Sequence, residues 1–396
     1  LHVRSRRQRQ MCIRDSVRRT YFQIGGIVLN KERLIDNFIH MVKIASPSKD
    51  ERQVADYLKQ QLEELGMEVY EDDAGYKVGG NTGNIVGILK APGKKKVLLS
   101  AHMDTVLPCE NINPVIDNGI IRTDGTTILG GDDKAGIADI IEAIRVIKEK
   151  DYDHPEIIVV FSICEELGLL GAKNFEIEKY SPDYSFILDS GGKAGVAIIQ
   201  TPYSAKGEIV VIGKSAHAGI DPETGVNALT VAAHVITKLK LGRIDSETTS
   251  NIGMVRGGEA INIVMAEVTL KYEARSFSKE KLENLLKDTQ EKFDKITKQF
   301  GATYEYNVDR GYPGYHLKDD EEIVSYFRKA CEKMGIECIT KSTGGGSDSN
   351  IYTGKGYKAM TIGVGMSKVH TKEEFIAIED LYQTTELLIE LLKGIA

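Results

Sequence analysis

Five short stretches of this 396-residue chain carry side chains suited to a divalent metal: His102-Met103-Asp104, Asp132-Asp133-Lys134, Glu165-Glu166, Asp189 and His370. Two imidazoles and several carboxylates make up the donor set that holds a pair of zinc-like ions, and such a pair points to hydrolysis. The His-x-Asp spacing adds a reason, because residues i and i+2 of an extended chain face the same side. Asp104 can therefore accept a hydrogen bond from one nitrogen of His102 and leave the other for metal. Glu165 and Glu166 would repel each other at a buried strand end unless a cation or a proton shared the site. Adjacent side chains point to different sides, so one can ligate while the other transfers protons; a solvated acidic turn is the alternative. Asp132 follows Gly130-Gly131, where glycine lets the backbone approach closely before a helix begins. An ordinary helix N-cap is equally consistent there. His370, in Val369-His370-Thr371-Lys372-Glu373-Glu374, draws least support from spacing alone, and His40, His154, His234 and His316 have no partner pattern.

The elements that would position these residues alternate helix and strand from about Ile27. Residues 32–65 read as two amphipathic helices broken at Ser46-Pro47-Ser48, and 96–101 as a short buried strand running into His102. Ile137, Ile140, Ile141, Ile144 and Ile147 recur with the helical period, predicting a helix over 134–150. Apolar, β-branched runs at 156–163 and 184–188 read as strands that stop at Glu165-Glu166 and Asp189. Strands apolar throughout and separated by helices predict an α/β fold, with a mostly parallel sheet flanked by helices. In such sheets sites form beyond the carboxyl ends of the strands, which is where His102, Glu165, Glu166 and Asp189 fall.

A different order follows: strand 206–212, helix 227–239, strands 251–255 and 263–274, helix 278–300 and strand 303–308. That β-α-β-β-α-β succession predicts an inserted ferredoxin-like α+β lid. Helices at 321–334 and 378–395 and a strand at 359–364 then resume the first pattern. The expected organisation is a discontinuous catalytic domain, 23–200 and 313–396, carrying a lid at 201–312.

Composition bounds the functional classes. A chain of this length suits two domains, and no apolar run approaches the roughly 18 residues of a membrane span. The five cysteines are scattered, with no C-x-x-C pair, so neither a disulfide framework nor a thiolate metal site is expected, and a cytoplasmic home is the simpler one. Residues 1–20 hold seven arginines against one acid, Asp15; their +6, set against a chain total of −7, leaves −13 for the rest. A basic arm could bind nucleic acid or anionic lipid, but the acidic remainder argues against nucleic acid. The string Arg6-Arg7-Gln8-Arg9-Gln10-Met11-Cys12-Ile13-Arg14-Asp15-Ser16 resembles translated sequencing-adapter read-through, so segment 1–22 is read as non-native and left out of the fold.

The motifs taken in order carry a resemblance. Ser100-Ala101-His102-Met103-Asp104-Thr105-Val106, then Gly125-Thr126-Thr127-Ile128-Leu129-Gly130-Gly131-Asp132-Asp133-Lys134-Ala135-Gly136, then Glu165-Glu166-Leu167-Gly168 and His370 resemble the co-catalytic zinc exopeptidases. That family includes peptidase T, carboxypeptidase G, aminoacylase and succinyl-diaminopimelate desuccinylase; the peptidase T-like branch is most similar, from about residue 28 to the end. The resemblance implies two Zn²⁺ per chain, with Co²⁺ or Mn²⁺ as alternatives, bridged by Asp132. One ion would also take His102 and Asp189, the other Glu166 and His370. It further implies a cis peptide bond after Asp132, Glu165 as general base and Asp104 in support. From the lid, His217 would stabilise the oxyanion, often from the other subunit of a homodimer, and Asn251 and Arg275 would contact substrate. Arg275 suits bidentate recognition of a carboxylate, and Gly345 and Ser347 would belong to a glycine-rich substrate loop, 344–348. The implied activity is an aminotripeptidase-like exopeptidase acting on short peptides. An amidohydrolase of N-acyl amino acids and a catalytically silent, metal-bound peptide scaffold are the alternatives.

Overall fold

The structure is a computed structural model whose described residues are 29–396, so the basic segment 1–22 lies outside them. Four parallel strands form the centre of the main sheet, in the order Glu156–Ser162, Lys96–His102, Tyr184–Ser190 and Ala359–Gly363. Glu68–Glu71 and Ile85–Leu89 continue it antiparallel beyond Glu156–Ser162, and Val196–Thr201 pairs antiparallel with Ala359–Gly363 at the other end. The parallel centre is the part that read as continuously apolar, because residues 97–102 and 157–162 are buried on both faces.

The helix Gly131–Glu149 packs beside Lys31–Val42 and Ile378–Ile395, and Glu322–Met334 lies against Ile378–Ile395. Isoleucine periodicity anticipates one buried face for Gly131–Glu149, yet nearly every residue from 131 to 147 is buried. Neighbouring helices cover the side that the sheet does not. Fully burying each isoleucine contributes about 1.5–3 kcal/mol, so the five that recur in this helix hold it, and the loop at its start, against the strand ends. A second helix group, Arg52–Glu64 and Asp348–Gly354, packs on Ile85–Leu89 and Ala359–Gly363 respectively.

Described residues up to Ile199 form one unit with Leu317–Lys341 and Ser347–Ala396; Gln200–His316 and Ser342–Gly346 form the other. The second unit thus takes in Gln200, residues 313–316 and Ser342–Gly346, beyond the lid expected at 201–312. Its sheet is antiparallel, in the order Thr248–Gly257, Glu267–Ser276, Tyr203–Ile212, Thr303–Arg310, with the two-residue Gly242–Arg243 at one edge. Counting the four main strands along the chain, the order 2-3-1-4 is that of a ferredoxin-like sheet. Val268, Leu270, Tyr272 and Ala274 alternate inward and meet Val231, Val235, Leu282, Leu286 and Phe293 of the helices Ala228–Ile236 and Lys279–Phe300.

Two departures from the sequence reading have local causes. The expected strand 263–274 starts only at Glu267, because residues 262–264 pair instead with the loop at 216–218, through Ala218 N–H to Asn262 O and Val264 N–H to Ala216 O, each 2.9 Å. A small sheet of Val115–Asp117, Ile120–Arg122 and Phe375–Ala377 was not anticipated. Three-residue strands are too short for periodicity, although Asn118-Gly119, both at positive φ, is a recognised hairpin signal.

Candidate metal centre

Register brings the candidate ligands together. Lys96–His102 and Glu156–Ser162 run parallel with His102 beside Ser162, so Asp104 and Glu165-Glu166 leave the sheet at the same end, next to Asp189 near the end of Tyr184–Ser190. Asp132 sits at the start of Gly131–Glu149, where it and Asp133 have non-helical backbone angles and the peptide bond between them is cis. His370 comes from the loop before Phe375–Ala377, at φ 63°.

Asp132 is the centre of the arrangement. Its Oδ1 lies 3.1 Å from His102 Nε2 and its Oδ2 lies 3.3 Å from His370 Nε2, so each carboxylate oxygen faces a different imidazole. Each imidazole faces a second carboxylate as well: His102 Nε2 is 3.9 Å from Asp189 Oδ1, and His370 Nε2 is 2.8 Å from Glu166 Oε1. Ligand atoms of His102, Asp132 and Glu166 all fall within 4.8 Å of one another, as do those of His102, Asp133 and Asp189.

The charge count asks for a cation. Among the described residues, Asp132, Asp133, Asp189, Glu165 and Glu166 cluster around two imidazoles, and Asp133 Oδ1 is buried with no hydrogen-bond partner. Buried carboxylates are costly unless paired, so divalent ions fit this donor set. Protons serve where no ion is present. Burial acts to lower the His102 imidazole, but hydrogen bonding to Asp104 and Asp132 and the charge of Asp189 raise it well above its ordinary value. His370 is pushed up to about 10 by Asp132 and Glu166. Burial raises the Asp132 carboxyl, yet hydrogen bonds with the two histidines outweigh it and hold that carboxyl below the usual range. Asp189 is raised by burial and by Asp133. Metal must displace the imidazole protons to bind.

Glu165 differs from these candidate ligands. Its side chain retains some solvent access, but burial of the carboxyl and repulsion from Asp189 push it well above the ordinary glutamate range. Asp104 also differs from expectation. His102 Nδ1 donates to the main-chain oxygen of Asp104 at 2.7 Å, while the carboxylate Oδ1 stands 3.5 Å away. The carboxylate is occupied elsewhere: it accepts the N–H of Glu165 at 2.9 Å, the N–H of Glu166 at 3.2 Å and the Ser48 hydroxyl at 2.6 Å. Asp104 therefore anchors the backbone that carries both glutamates.

The lid candidates belong to the second unit. His217 is exposed, and its Nδ1 accepts the Gly219 N–H at 3.1 Å. Asn251 pairs across the sheet with Glu273, on the face that also carries Arg275 and lies opposite the helices. The Arg275 guanidinium donates to Gly344 O at 2.7 Å and to Glu273 at 3.1 Å, and its Nε is buried without a partner. Gly345 thus lies next to an arginine contact. Ser347, in the first unit, is buried, and its hydroxyl is engaged with Ser349 and Thr361 at 2.7 Å each.

Ser48 and Glu374 have no role assigned from sequence, and Asp133 is named there only as the neighbour of Asp132. Asp133 is the only one with a local signal, standing next to a glycine-flanked aspartate.

The chain matches the family model "Peptidase family M20/M25/M40" over residues 98–394, three quarters of its length. It is similar to a crystal structure of the aminopeptidase PepT from Bacillus cereus ATCC 10987, at 40% identity over 93% of this chain and 99% of that one, with a TM-score of 0.85. A tripeptidase from Staphylococcus aureus subsp. aureus Mu50 superimposes with a TM-score of 0.88, at 35% identity over 93% and 99% of the two chains. The uncharacterised protein YqjE of Bacillus subtilis strain 168 is 39% identical over 370 residues, 93% of this chain and all of that one. The chain is a hydrolase of peptidase family M20/M25/M40.

Proposed function

We propose that this hydrolase is a dinuclear, zinc-dependent exopeptidase that cleaves short peptides in the manner of an aminotripeptidase. The observation that carries this reading is the Asp132 carboxylate facing one imidazole with each oxygen. The similarity to an aminopeptidase and a tripeptidase supports the substrate class. His102, Asp132 and Asp189 would hold one ion, and Asp132, Glu166 and His370 the other. A pair of divalent ions supplies Lewis acidity, which polarises a peptide carbonyl and makes water acidic near neutral pH.

The remaining steps fall to side chains. Glu165 is the proton carrier: it takes a proton from the attacking water and delivers it to the departing amine, the work of a carboxylate placed beside the donor set without belonging to it. Asp104 holds the Glu165 and Glu166 amides, which fixes where the two carboxyls start from. His217 donates to the developing oxyanion from the lid of the same or a second subunit, in a homodimer formed through the lid. Arg275, with Asn251 and Gly345 nearby, receives the substrate carboxylate, a role that suits a guanidinium with a buried, unpaired Nε. Ser347 shapes this loop through its buried hydroxyl contacts. The cytoplasm is the proposed location; among the described residues no helix is long and apolar enough to cross a membrane.

The test is hydrolysis of a panel of di-, tri- and tetrapeptides and N-acyl amino acids, with and without added zinc, after elemental analysis of bound metal. Zinc-dependent cleavage confined to peptides with a free amino terminus, and strongest for tripeptides, is expected. Cleavage of N-acylated compounds alone would make the protein an amidohydrolase, and two metals per chain without any turnover would make it a binding scaffold.

A further inference from the structure

We infer that Glu374 is a positioning residue, a clamp that holds the loop carrying Asp132 in its ligating shape and couples that loop to His370. The inference rests on the metal-centre reading above and concerns a residue outside the ligand set.

The need for a clamp arises in the backbone. A helix leaves its first N–H groups without intrahelical partners, and a side chain at the N-cap usually accepts one of them. The helix Gly131–Glu149 starts from Gly130, which is left-handed at φ 71° and has no side chain to offer. Asp132 and Asp133 then depart from helical angles, so the first turn cannot satisfy its own donors. Asp132 cannot serve as the cap either, because both its oxygens face histidines.

Glu374 fills this role from far along the chain. Its Oε2 accepts the N–H groups of Leu129 at 2.8 Å and Gly130 at 2.9 Å, and its Oε1 accepts the N–H of Asp132 itself at 3.0 Å. The side chain is 1% exposed. A Cβ on Gly131 would stand 3.1 Å from Oε1, so the glycine admits the carboxylate to the inside of the loop. A negative charge at this end also complements the helix dipole.

The same turn carries His370. Glu374 N–H donates to Thr371 O at 3.1 Å, and Phe375–Ala377 is anchored by pairing with Ile120–Arg122. Asp132 is therefore gripped twice by one five-residue stretch, at its N–H by Glu374 and at its Oδ2 by His370. Only a group with two acceptor oxygens can take all three N–H groups in this geometry. Glutamine turns an NH₂ toward at least one of them, and aspartate is one methylene short.

The experiment is isothermal titration of the metal-free full-length chain with Zn²⁺, together with visible absorption of the Co²⁺-loaded protein, for wild type, Glu374→Gln and Glu373→Gln. Glu373 is an exposed neighbour paired with Lys368 at 2.7 Å, which makes it the control. The expected result is Zn²⁺ affinity about 10- to 100-fold weaker in Glu374→Gln, as for other residues that orient metal ligands, with a changed Co²⁺ spectrum. Glu373→Gln should match wild type in both. Wild-type affinity and spectrum in Glu374→Gln overturn the clamp and leave the metal centre standing, whereas a wild-type chain that binds no Zn²⁺ overturns the metal centre itself. Hydrogen exchange on metal-free wild type provides a check that needs no variant. The amides of Leu129, Gly130 and Asp132 should be protected, and exchange at unprotected rates would overturn the clamp even if Glu374→Gln fails to fold.

Discussion

Replacing Asp104 by asparagine tests whether its carboxylate is a backbone anchor. The side chain is fully buried, with Oδ1 on the Glu165 N–H and Oδ2 on the Glu166 N–H and the Ser48 hydroxyl. Asparagine has one acceptor oxygen. Whichever way its amide turns, an NH₂ faces a backbone N–H of Glu165 or Glu166, and one charge-assisted hydrogen bond is lost at about 1.5–3 kcal/mol. Relief of repulsion works the other way, since the Asp104 charge helps to raise Glu51. The native surroundings nevertheless favour the ionised form: burial alone would raise the Asp104 carboxyl, but His102, the Ser48 hydroxyl and the Glu165 N–H hold it below its ordinary value. Neutralising it therefore costs more than it relieves. A net loss of about 2 kcal/mol lowers the melting temperature of a domain of this size by about 4–8 °C. Calorimetry at neutral pH on metal-free protein is the right assay, because bound metal would add its own stabilisation. With metal restored, displacement of Glu165 should also lower kcat. A melting temperature within about 1 °C of wild type would refute the anchor, and so would a large loss of stability in Ser48→Ala with none in Asp104→Asn.

Two further outcomes follow from single side chains. Glu165→Ala should lower kcat by about 10²- to 10⁴-fold, the usual worth of a positioned general base, while elemental analysis finds wild-type metal content; loss of metal would instead make Glu165 a ligand. Asp139, buried in the helix Gly131–Glu149, takes a hydrogen bond from the Thr385 hydroxyl at 2.7 Å and has Asp380, not a cation, as its charged neighbour. Burial raises its carboxyl well above the ordinary value, so the folded state holds this proton to higher pH than the unfolded chain does. That contribution is complete below about pH 4 and is lost as pH rises through the raised value. Asp139→Asn should thus gain on wild type with increasing pH, by at most about 1.4 kcal/mol per pH unit. Urea unfolding at pH 5 and pH 8 measures the difference; parallel behaviour of the two proteins would show that Asp139 is ionised without penalty.

What could be read from sequence depended on how far apart the interacting residues lie. His102, Glu165, Glu166 and Asp189 were legible because each follows an apolar run that has to be a buried strand, and parallel strands bring such ends together. The isoleucine spacing located the helix behind Asp132, and the lid order followed from its alternation of elements. The supporting hydrogen bonds left no comparable trace. Asp104 reads as a partner for His102 two residues away, yet its carboxylate serves Ser48, 56 positions earlier, and Glu165, 61 positions later. Glu374 stands 245 positions from Leu129, beside a glutamate of like chemistry that faces solvent. Side-chain periodicity encodes which face is buried, whereas a carboxylate that accepts backbone N–H groups needs only a particular position in space. Glu373 and Glu374 are indistinguishable by residue type, and only the docking of their loop assigns one to an exposed ion pair with Lys368 and the other to the Asp132 backbone. A metal centre built this way has ligands that a motif can announce and supports that folding alone reveals, so substitutions at the supports are the ones sequence reasoning would wrongly pass as neutral.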